Sequence, residues 1–456
     1  DIQKEYERQG ITDRNNYGLR LCRVNSNYEL CSSYPNLVVV PEKSSDDEVI
    51  RSAYYRSRSR FPAFTYLYKK DGNNASIWRC SQIKSGITGI TDDGNKNLVE
   101  KIINLTRKLC IFDARPFVNA LTNKLVGSGG YENPEQYTNA NVEFCDIENI
   151  HECRESYDKV FTISQSGKIM INQELYSDLD DSKWYDFIYK ILKSSLKIAE
   201  KILENCSVMV HCTDGWDRSC QLVATSELIL EPYYRTFKGF AVLIEKDWLS
   251  FGHQFGLRQG MNLSGEKFNE EQRSPIFIQW LDVVHQLLYQ FPNAFEFNQD
   301  LLIYLGKTCG TNMYGTFLFN NDKERVKYEA KTKTVSIWTD IKKNFNKYVN
   351  YFYNPENITQ IIRPNIAPYS FDFWDEFFMQ HSGYVENRIT YLDEEKTQSF
   401  KLSHEFYDND KKEDEKKFKI LYNNIQGLKP LLVIHFVLST ILNSCVLGFS
   451  EGVIPT

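Results

Sequence analysis

Short runs of β-branched and aromatic residues, set between long helical patterns, predict an α/β fold. Three observations carry this. The 456 residues are 42% apolar and 25% charged, a globular balance, and the length suits one large α/β domain. Aromatic residues reach 14%, enough for an extensive core. The stretch "CSVMVHCTDGWDRSCQLVATSELIL", Cys206 to Leu230, joins an apolar strand to a helical pattern through a tight polar turn.

The elements follow in order. "DIQKEYERQG" is helix-like from its first residue and shows no cap, so an upstream segment is expected. It has no apolar core of a leader peptide. "LVVVP" (Leu37 to Pro41) and "FPAFTYLY" (Phe61 to Tyr68) read as strands, and "DGNN" before "ASIWRC" predicts a hairpin. "DSKWYDFIYKILKSSLKIAEKILEN" repeats apolar residues at helical spacing from Trp184 to Ile202, with Asp181 or Ser182 as cap. "SPIFIQWLDVVHQLLYQF" is a second helix, with Ser274 as cap and Pro275 at its first position. Both apolar stripes are read as core. Asp408 to Lys419 is a charge run, read as a solvated loop or helix end. Residues 430–449 carry no formal charge and are long enough to span a bilayer. His435, Asn443 and several hydroxyls favour a buried helix there over a tail anchor.

Net charge is −6, against the basic surface of most nucleic-acid binders, so no nucleic-acid partner is expected. The 11 cysteines are odd in number and scattered, which predicts reduced thiols in a cytoplasmic setting. None is spaced with histidines as a zinc site requires, so no metal is expected.

The turn "CTDGWDRS" carries the chemistry. A strand, a tight loop and a helix N-terminus make an anion cradle of backbone N–H groups, with the helix dipole behind them. Gly215 permits the turn. The cradle and Arg218 favour the thiolate of Cys212, which makes it a nucleophile at neutral pH. The Arg218 fork is suited to two oxygens of a phosphoryl group, and Ser219 is placed to donate a hydrogen bond to the Cys212 sulfur. No other cysteine has arginine six residues on. The product is a phosphomonoesterase acting through a phosphocysteine. Asp214 and Asp217 would repel a phosphate dianion if both were ionised, so one is expected to be protonated or turned away. Asp217 is the first choice for general acid and then base, against a purely loop-shaping role for both. Trp216 is read as a wall of the pocket, His211 as orienting the loop, His253 as structural, and Asp113 with Arg115 as a structural ion pair. Cys206 and Cys220 are read as core thiols.

"HCTDGWDRS" resembles the H-C-S-D-G-W-D-R-T signature of the myotubularins, with both hydroxyls kept at Thr213 and Ser219. The likeness continues, in the family's order, through "NYELCSSYP", "YRSRSRFP", "RCSQ", "IFDARPFVNALTNK", "GGYE", "DIENIHECRES", "YYRTFKGFAVLIEKDWLSFGHQF", "SPIFIQWLDVVHQLL", "FPNAFEFN" and "GTFL". It covers roughly Tyr6 to Asn387, leaving 388–456 as an extension, and shows no pleckstrin-like GRAM domain ahead of the phosphatase domain.

The resemblance implies an enlarged protein-tyrosine-phosphatase-like fold with a central twisted mixed sheet flanked by helices. It implies hydrolysis of the D3 phosphate of phosphatidylinositol 3-phosphate, with the 3,5-bisphosphate as a second substrate, and no cofactor. Cys212, Asp217 and Arg218 would be nucleophile, acid and clamp, and Thr213, Asp214, Gly215 and Trp216 would contact the substrate. Asn123, Asn149 and Ile150 match positions near the lipid head group, and Arg258 a basic position near the pocket. Residence on endosomal-type membranes and homo- or hetero-oligomers within the family are implied too. Gln254 stands where the family carries a cation, which predicts a preference for the monophosphate. Ile83 replaces a usual proline.

Three other functions compete. A catalytically dead adaptor would lack Cys212 or Arg218, and both are present. A protein phosphatase with the same cysteine chemistry commonly takes its acid from a Trp-Pro-Asp loop, and no such tripeptide occurs. A pure phosphoinositide-binding module would leave its lipid unchanged.

Overall fold

The computed structural model describes residues 1–379 save 71, 85–91, 128, 166–172, 262–268 and 356–360. Chain packing separates Asp1–Val385 from Glu386–Thr456. The charge run, the 388–456 extension and its apolar stretch 430–449 lie outside the described residues.

Strands β1 (Leu19–Cys22) and β2 (Val38–Pro41) pair antiparallel. The central sheet is formed by β3 (Ala63–Leu67), β4 (Ser76–Ser81), β5 (Leu109–Asp113), β6 (Ala140–Phe144) and β7 (Ser207–Cys212), in the order β3-β4-β7-β5-β6. β3 and β4 form the expected antiparallel hairpin, and β4, β7, β5 and β6 run parallel. This is the mixed sheet flanked by helices that the family resemblance implies. β7 lies at its centre, and both its faces are covered. Its period of two sends Val208, Val210 and Cys212 to one core and Met209 to the other. The first core packs helices Trp184–Leu203 and Arg218–Leu230, and the second packs helix Asp93–Thr106.

The stripe on Trp184–Leu203 is core, as its period requires: Trp184, Ile188, Ile191, Leu192, Ile198 and Ile202 are buried. Its cap differs from expectation. Lys183, in left-handed conformation at φ 65°, precedes the helix, and the Ser182 hydroxyl accepts only from the Trp184 N–H. A missing side-chain cap costs about 1 kcal/mol. Burying a single Ile or Leu is worth about 1.5–3 kcal/mol, so packing wins. Likewise Pro275 precedes helix Ile276–Gln290 without a side-chain cap, and the Ser274 hydroxyl instead donates to the Ile150 carbonyl. The first helix, Ile2–Arg8, is capped after all: Asp1 accepts from the Gln3 N–H.

The parallel strands share one carboxyl edge. The segments that leave it, after Asp113, Phe144 and Cys212, carry the expected site residues except Arg258, which lies on the short helix Phe255–Arg258. Ligand sites of open α/β sheets lie at such an edge. No described helix is long and apolar enough to cross a membrane.

Candidate active site

Cys212 ends β7 and is 3% exposed. The loop after it turns through Gly215 at φ 80°, and a Cβ there would sit 2.3 Å from the Cys80 carbonyl. Only glycine can have both that conformation and that approach to β4. The Gly215 N–H donates to Cys212 Sγ at 3.2 Å.

The loop carbonyls are held by buried donors. Thr213 O accepts from the Gln82 N–H at 3.1 Å. Gly215 O accepts from Arg60 Nη2 at 2.9 Å and from Arg79 Nη2 at 3.2 Å. Trp216 O accepts from His253 Nδ1 at 2.7 Å. These peptides are trans, so the N–H on each plane points opposite its carbonyl. The N–H groups of Asp214, Trp216 and Asp217 are those partners, and none donates within the described residues. Three donors turned from the protein body around a buried sulfur, at the start of helix Arg218–Leu230, form an anion nest.

Arg218 opens that helix. Its Nη1 donates to the Ile147 carbonyl at 3.0 Å, and its Nη2 lies 3.4 Å from Thr213 Oγ1. The Ile147 contact joins it to the loop after β6, where Asn149 caps helix Ile150–Gln165 by accepting from the His151 N–H. Asn149 and Ile150, which follow the Ile147 and Glu148 carbonyls that the Arg218 fork meets, are half-buried. Asn123 is half-buried on helix Phe117–Leu125 of the same edge. Trp216 is half-buried, with the Arg58 and Arg60 guanidiniums 5.7 and 5.8 Å from its ring.

Two residues stand differently in the resting structure from the roles expected of them. Asp217 takes the second of its two alternatives, turned away from the cradle rather than protonated within it. Both its oxygens accept from Arg258, at 3.0 Å (Nε) and 2.8 Å (Nη2), and His253 Nδ1 lies 3.2 Å from Oδ1. Burial alone would push this carboxyl up. The Arg258 guanidinium, with His253, overrides burial and holds it well below the usual carboxylate range. Arg258 is thereby occupied as well, and buried. Ser219 does not meet the nucleophile either: its hydroxyl is fully buried and has no hydrogen-bond partner. Asp214 stays at the opening, 25% exposed by side chain, accepting from the Ser57 hydroxyl at 2.9 Å with Arg58 at 3.6 Å.

Asp113 and Arg115 form the expected buried pair, and Arg115 also reaches Gln82 and the Gly130 carbonyl. His211 is buried, and burial pushes its imidazole down despite nearby Asp113. It is therefore neutral, with Nδ1 against the Cys212 carbonyl at 3.2 Å. Every described cysteine is free and buried; burial pushes the Cys220 thiol up to about 11 and also raises Cys206, as suits core thiols. Gln254 is buried, donating to the carbonyls of Gly252 at 2.9 Å and Asn320 at 3.4 Å. The described residues include no cluster of three or more His, Cys, Asp or Glu side chains that could hold a metal ion.

Sequence reasoning missed Arg60, Arg79 and Gln82, and gave His253 no link to the loop. They come from distant segments, and no local pattern ties them to Cys212. The one available signal was their place within the quoted family motifs.

A nucleophilic cysteine on a central parallel strand, a nest of free N–H groups and an arginine opening the next helix define the cysteine-dependent phosphatase architecture. The profile of the myotubularin-like phosphatase domain matches residues 1–326, and the chain belongs to that family. It is 39% identical to the myotubularin of Xenopus laevis over 385 residues, 83% of this chain and 62% of that protein. It is 40% identical over 363 residues to the phosphatidylinositol-3,5-bisphosphate 3-phosphatase MTMR2 of Gallus gallus, 76% of this chain and 60% of that protein. With the human protein of the same activity name, MTMR6, it shares 37% over 384 residues, 83% of this chain and 60% of that protein. The chain thus spans about three-fifths of the length of these relatives.

Arg60 bonds only carbonyls and the Ser33 hydroxyl, so its removal strands no carboxylate. Arg60→Met is expected to slow alkylation of Cys212 at neutral pH and weaken inorganic phosphate binding, each about ten-fold, the scale of one charge-assisted hydrogen bond. Unchanged alkylation and phosphate binding in the folded variant would show that the loop does not need this anchor.

Arg258→Met would leave Asp217 buried with only His253 beside it, at a cost of about 3–5 kcal/mol near neutral pH. With the cation gone, burial raises the folded carboxyl above its unfolded value. Stability is then greatest where it is protonated and falls as pH rises through the raised value. The deficit relative to wild type, read from urea midpoints, should therefore shrink from about pH 8 to about pH 5.

Proposed function

We propose that the protein is a phosphoinositide 3-phosphatase, removing the D3 phosphate of phosphatidylinositol 3-phosphate through a phosphocysteine. The observation that carries this is Cys212 Sγ at the end of β7, held by the Gly215 N–H in a loop that has three unpaired N–H groups and leads into Arg218, whose Nη2 lies 3.4 Å from Thr213 Oγ1. The relatives' names supply the lipid class: two are named for 3-phosphatase action on phosphatidylinositol 3,5-bisphosphate. The bisphosphate is the second substrate, used less well where Gln254 takes the place of a cation. The reading includes peripheral residence on endosomal-type membranes and oligomers within the family.

In the first step Cys212 attacks phosphorus, the phosphorus–oxygen bond to the inositol ring breaks, and the ring oxygen takes a proton. Arg218 and the loop N–H groups carry the charge on the phosphoryl oxygens. In the second step water attacks phosphorus and the thiolate leaves. The Ser219 hydroxyl, free in the resting structure, is available to the departing sulfur once the loop is loaded.

Asp217 donates and later recovers the proton in this scheme, which requires release from Arg258. The substrate supplies the means: a phosphate dianion raises a neighbouring carboxyl and competes for the same guanidinium. Asp217→Asn is expected to lower kcat on the lipid about 10²–10⁴-fold, but to spare an aryl phosphate whose leaving group needs no proton. That pattern in Asp214→Asn instead would move the role to Asp214.

The defining experiment is phosphate release from soluble short-chain inositol lipids phosphorylated at D3, D4 or D5, with Cys212→Ser as control. Release from D3 alone, lost in Cys212→Ser, is expected. Equal rates on a phosphotyrosine peptide would make this a protein phosphatase. No release from any substrate, with retained binding, would make it an adaptor.

A further inference from the structure

Helix Phe117–Leu125 presents the reverse of an ordinary surface helix. Ala120 is its only buried residue. Its apolar positions Val118, Leu121 and Leu125 are spaced i, i+3, i+7, a single stripe, of which Leu121 is half-buried and Val118 and Leu125 face outward. Val118, Leu125 and the next residue, Val126, are 68%, 67% and 69% exposed, and Phe117 is 47% exposed. Single exposed apolar residues need no explanation, whereas several on ten consecutive residues do.

The helix stands at the mouth of the phosphate nest. Arg115, just before it, binds Gln82 and the Gly130 carbonyl. Gly130, just after it, donates to the Ile83 carbonyl at 3.0 Å. Gln82 in turn donates to Thr213 of the loop. Both ends of the helix are thus fastened to the segment that holds the loop. Beyond that segment the rim carries exposed Tyr54, whose carbonyl takes the Lys84 ammonium at 3.0 Å, and Arg58, whose side chain is 63% exposed. Lys124 stands exposed on the helix itself, its ammonium 4.7 Å from the Tyr131 ring.

Apolar and aromatic side chains interleaved with cations are the composition of a surface that enters the polar–apolar boundary of an anionic bilayer. We propose that the outward face of helix Phe117–Leu125, with Val126, inserts into the membrane that holds the substrate, while Arg58, Lys84 and Lys124 meet its anionic head groups. The occupant follows from charge complementarity and continuity with the nest. A head group reaching Cys212 from a bilayer brings that bilayer down onto this rim. The inference rests on the lipid reading of the active site.

The test separates the two. The double variant Val118→Asp/Leu125→Asp is compared with wild type on soluble short-chain phosphatidylinositol 3-phosphate and on vesicles of phosphatidylcholine, phosphatidylserine and long-chain phosphatidylinositol 3-phosphate. Turnover of the soluble lipid should stay within about two-fold while vesicle turnover falls at least about ten-fold, the effect of placing charge at the interface. Equal losses on both, or full vesicle turnover, would overturn the proposal. A second probe is independent of catalysis. Val126→Trp in Cys212→Ser should shift its added fluorescence to the blue on these vesicles and be quenched by brominated lipid. An unquenched indole, or a face that instead holds a second copy in solution, would also overturn it. Quenching of the Val126→Trp probe together with no turnover of the soluble lipid by wild type would leave this face standing and remove the 3-phosphatase reading.

Discussion

The structure depends on where four buried donors hold three carbonyls. A peptide plane has one direction for its oxygen and the opposite one for its N–H, with a barrier near 20 kcal/mol against rearranging the bond itself. Gln82, Arg60, Arg79 and His253 draw the loop carbonyls into the protein, so the N–H groups of Asp214, Trp216 and Asp217 cannot turn inward for partners of their own. Left to itself, the turn from Thr213 to Asp217, with unpaired donors, would collapse onto its own oxygens or fill with water. The arginines hold it open for an anion.

Holding a loop with buried cations has a cost, and the protein meets it with alternating charge. Arg79 pairs with Asp247 at 3.1 Å, Asp247 with Lys246 at 3.1 Å, and Lys246 with Glu227 at 2.6 Å, all fully or almost fully buried. Burial and Asp247 push Glu227 well above the usual carboxylate range, against the pull of Lys246. Thr65 on β3 donates to Asp247, so the chain of charges is tied to the sheet edge. Arg60 is satisfied differently: three carbonyls and a hydroxyl share its two terminal nitrogens, and Tyr34 lies 4.4 Å beneath it. A charged group in low dielectric is tolerable when its protons are largely accepted: the terminal nitrogens of Arg60 and Arg79 are all engaged, while the buried Nε of each has no partner among the described residues.

Local order was legible in the sequence because it is written at short range. The hairpin of β3 and β4, the stripe of Trp184–Leu203 and the strand–turn–helix at Cys212 each follow from residues within about ten positions of one another. The caps at Ser182 and Ser274 were not, since tertiary packing outbids a cap and lends its hydroxyl elsewhere, as Ser274 does to Ile150. The state of Asp217 could not be read for a related reason. The neighbouring Arg218 guanidinium turns to Ile147, and the cation that claims the carboxylate stands 41 residues away on another element. Charge pairing across a fold follows distance in space, and spacing along the chain says nothing of it.

That pairing also explains how an acid can sit in a cradle built for anions. An ionised carboxylate facing the nest would compete with the substrate for its donors. A protonated one would be unstable beside so many cations, since each favours the charged form. The resting protein avoids both by lodging Asp217 on Arg258, a cation of the same site, and keeps the nest empty of its own negative charge. The arrangement couples two events: whatever anion draws Arg258 away also sets a buried carboxylate beside a phosphate, and that is the setting in which a carboxyl takes up a proton.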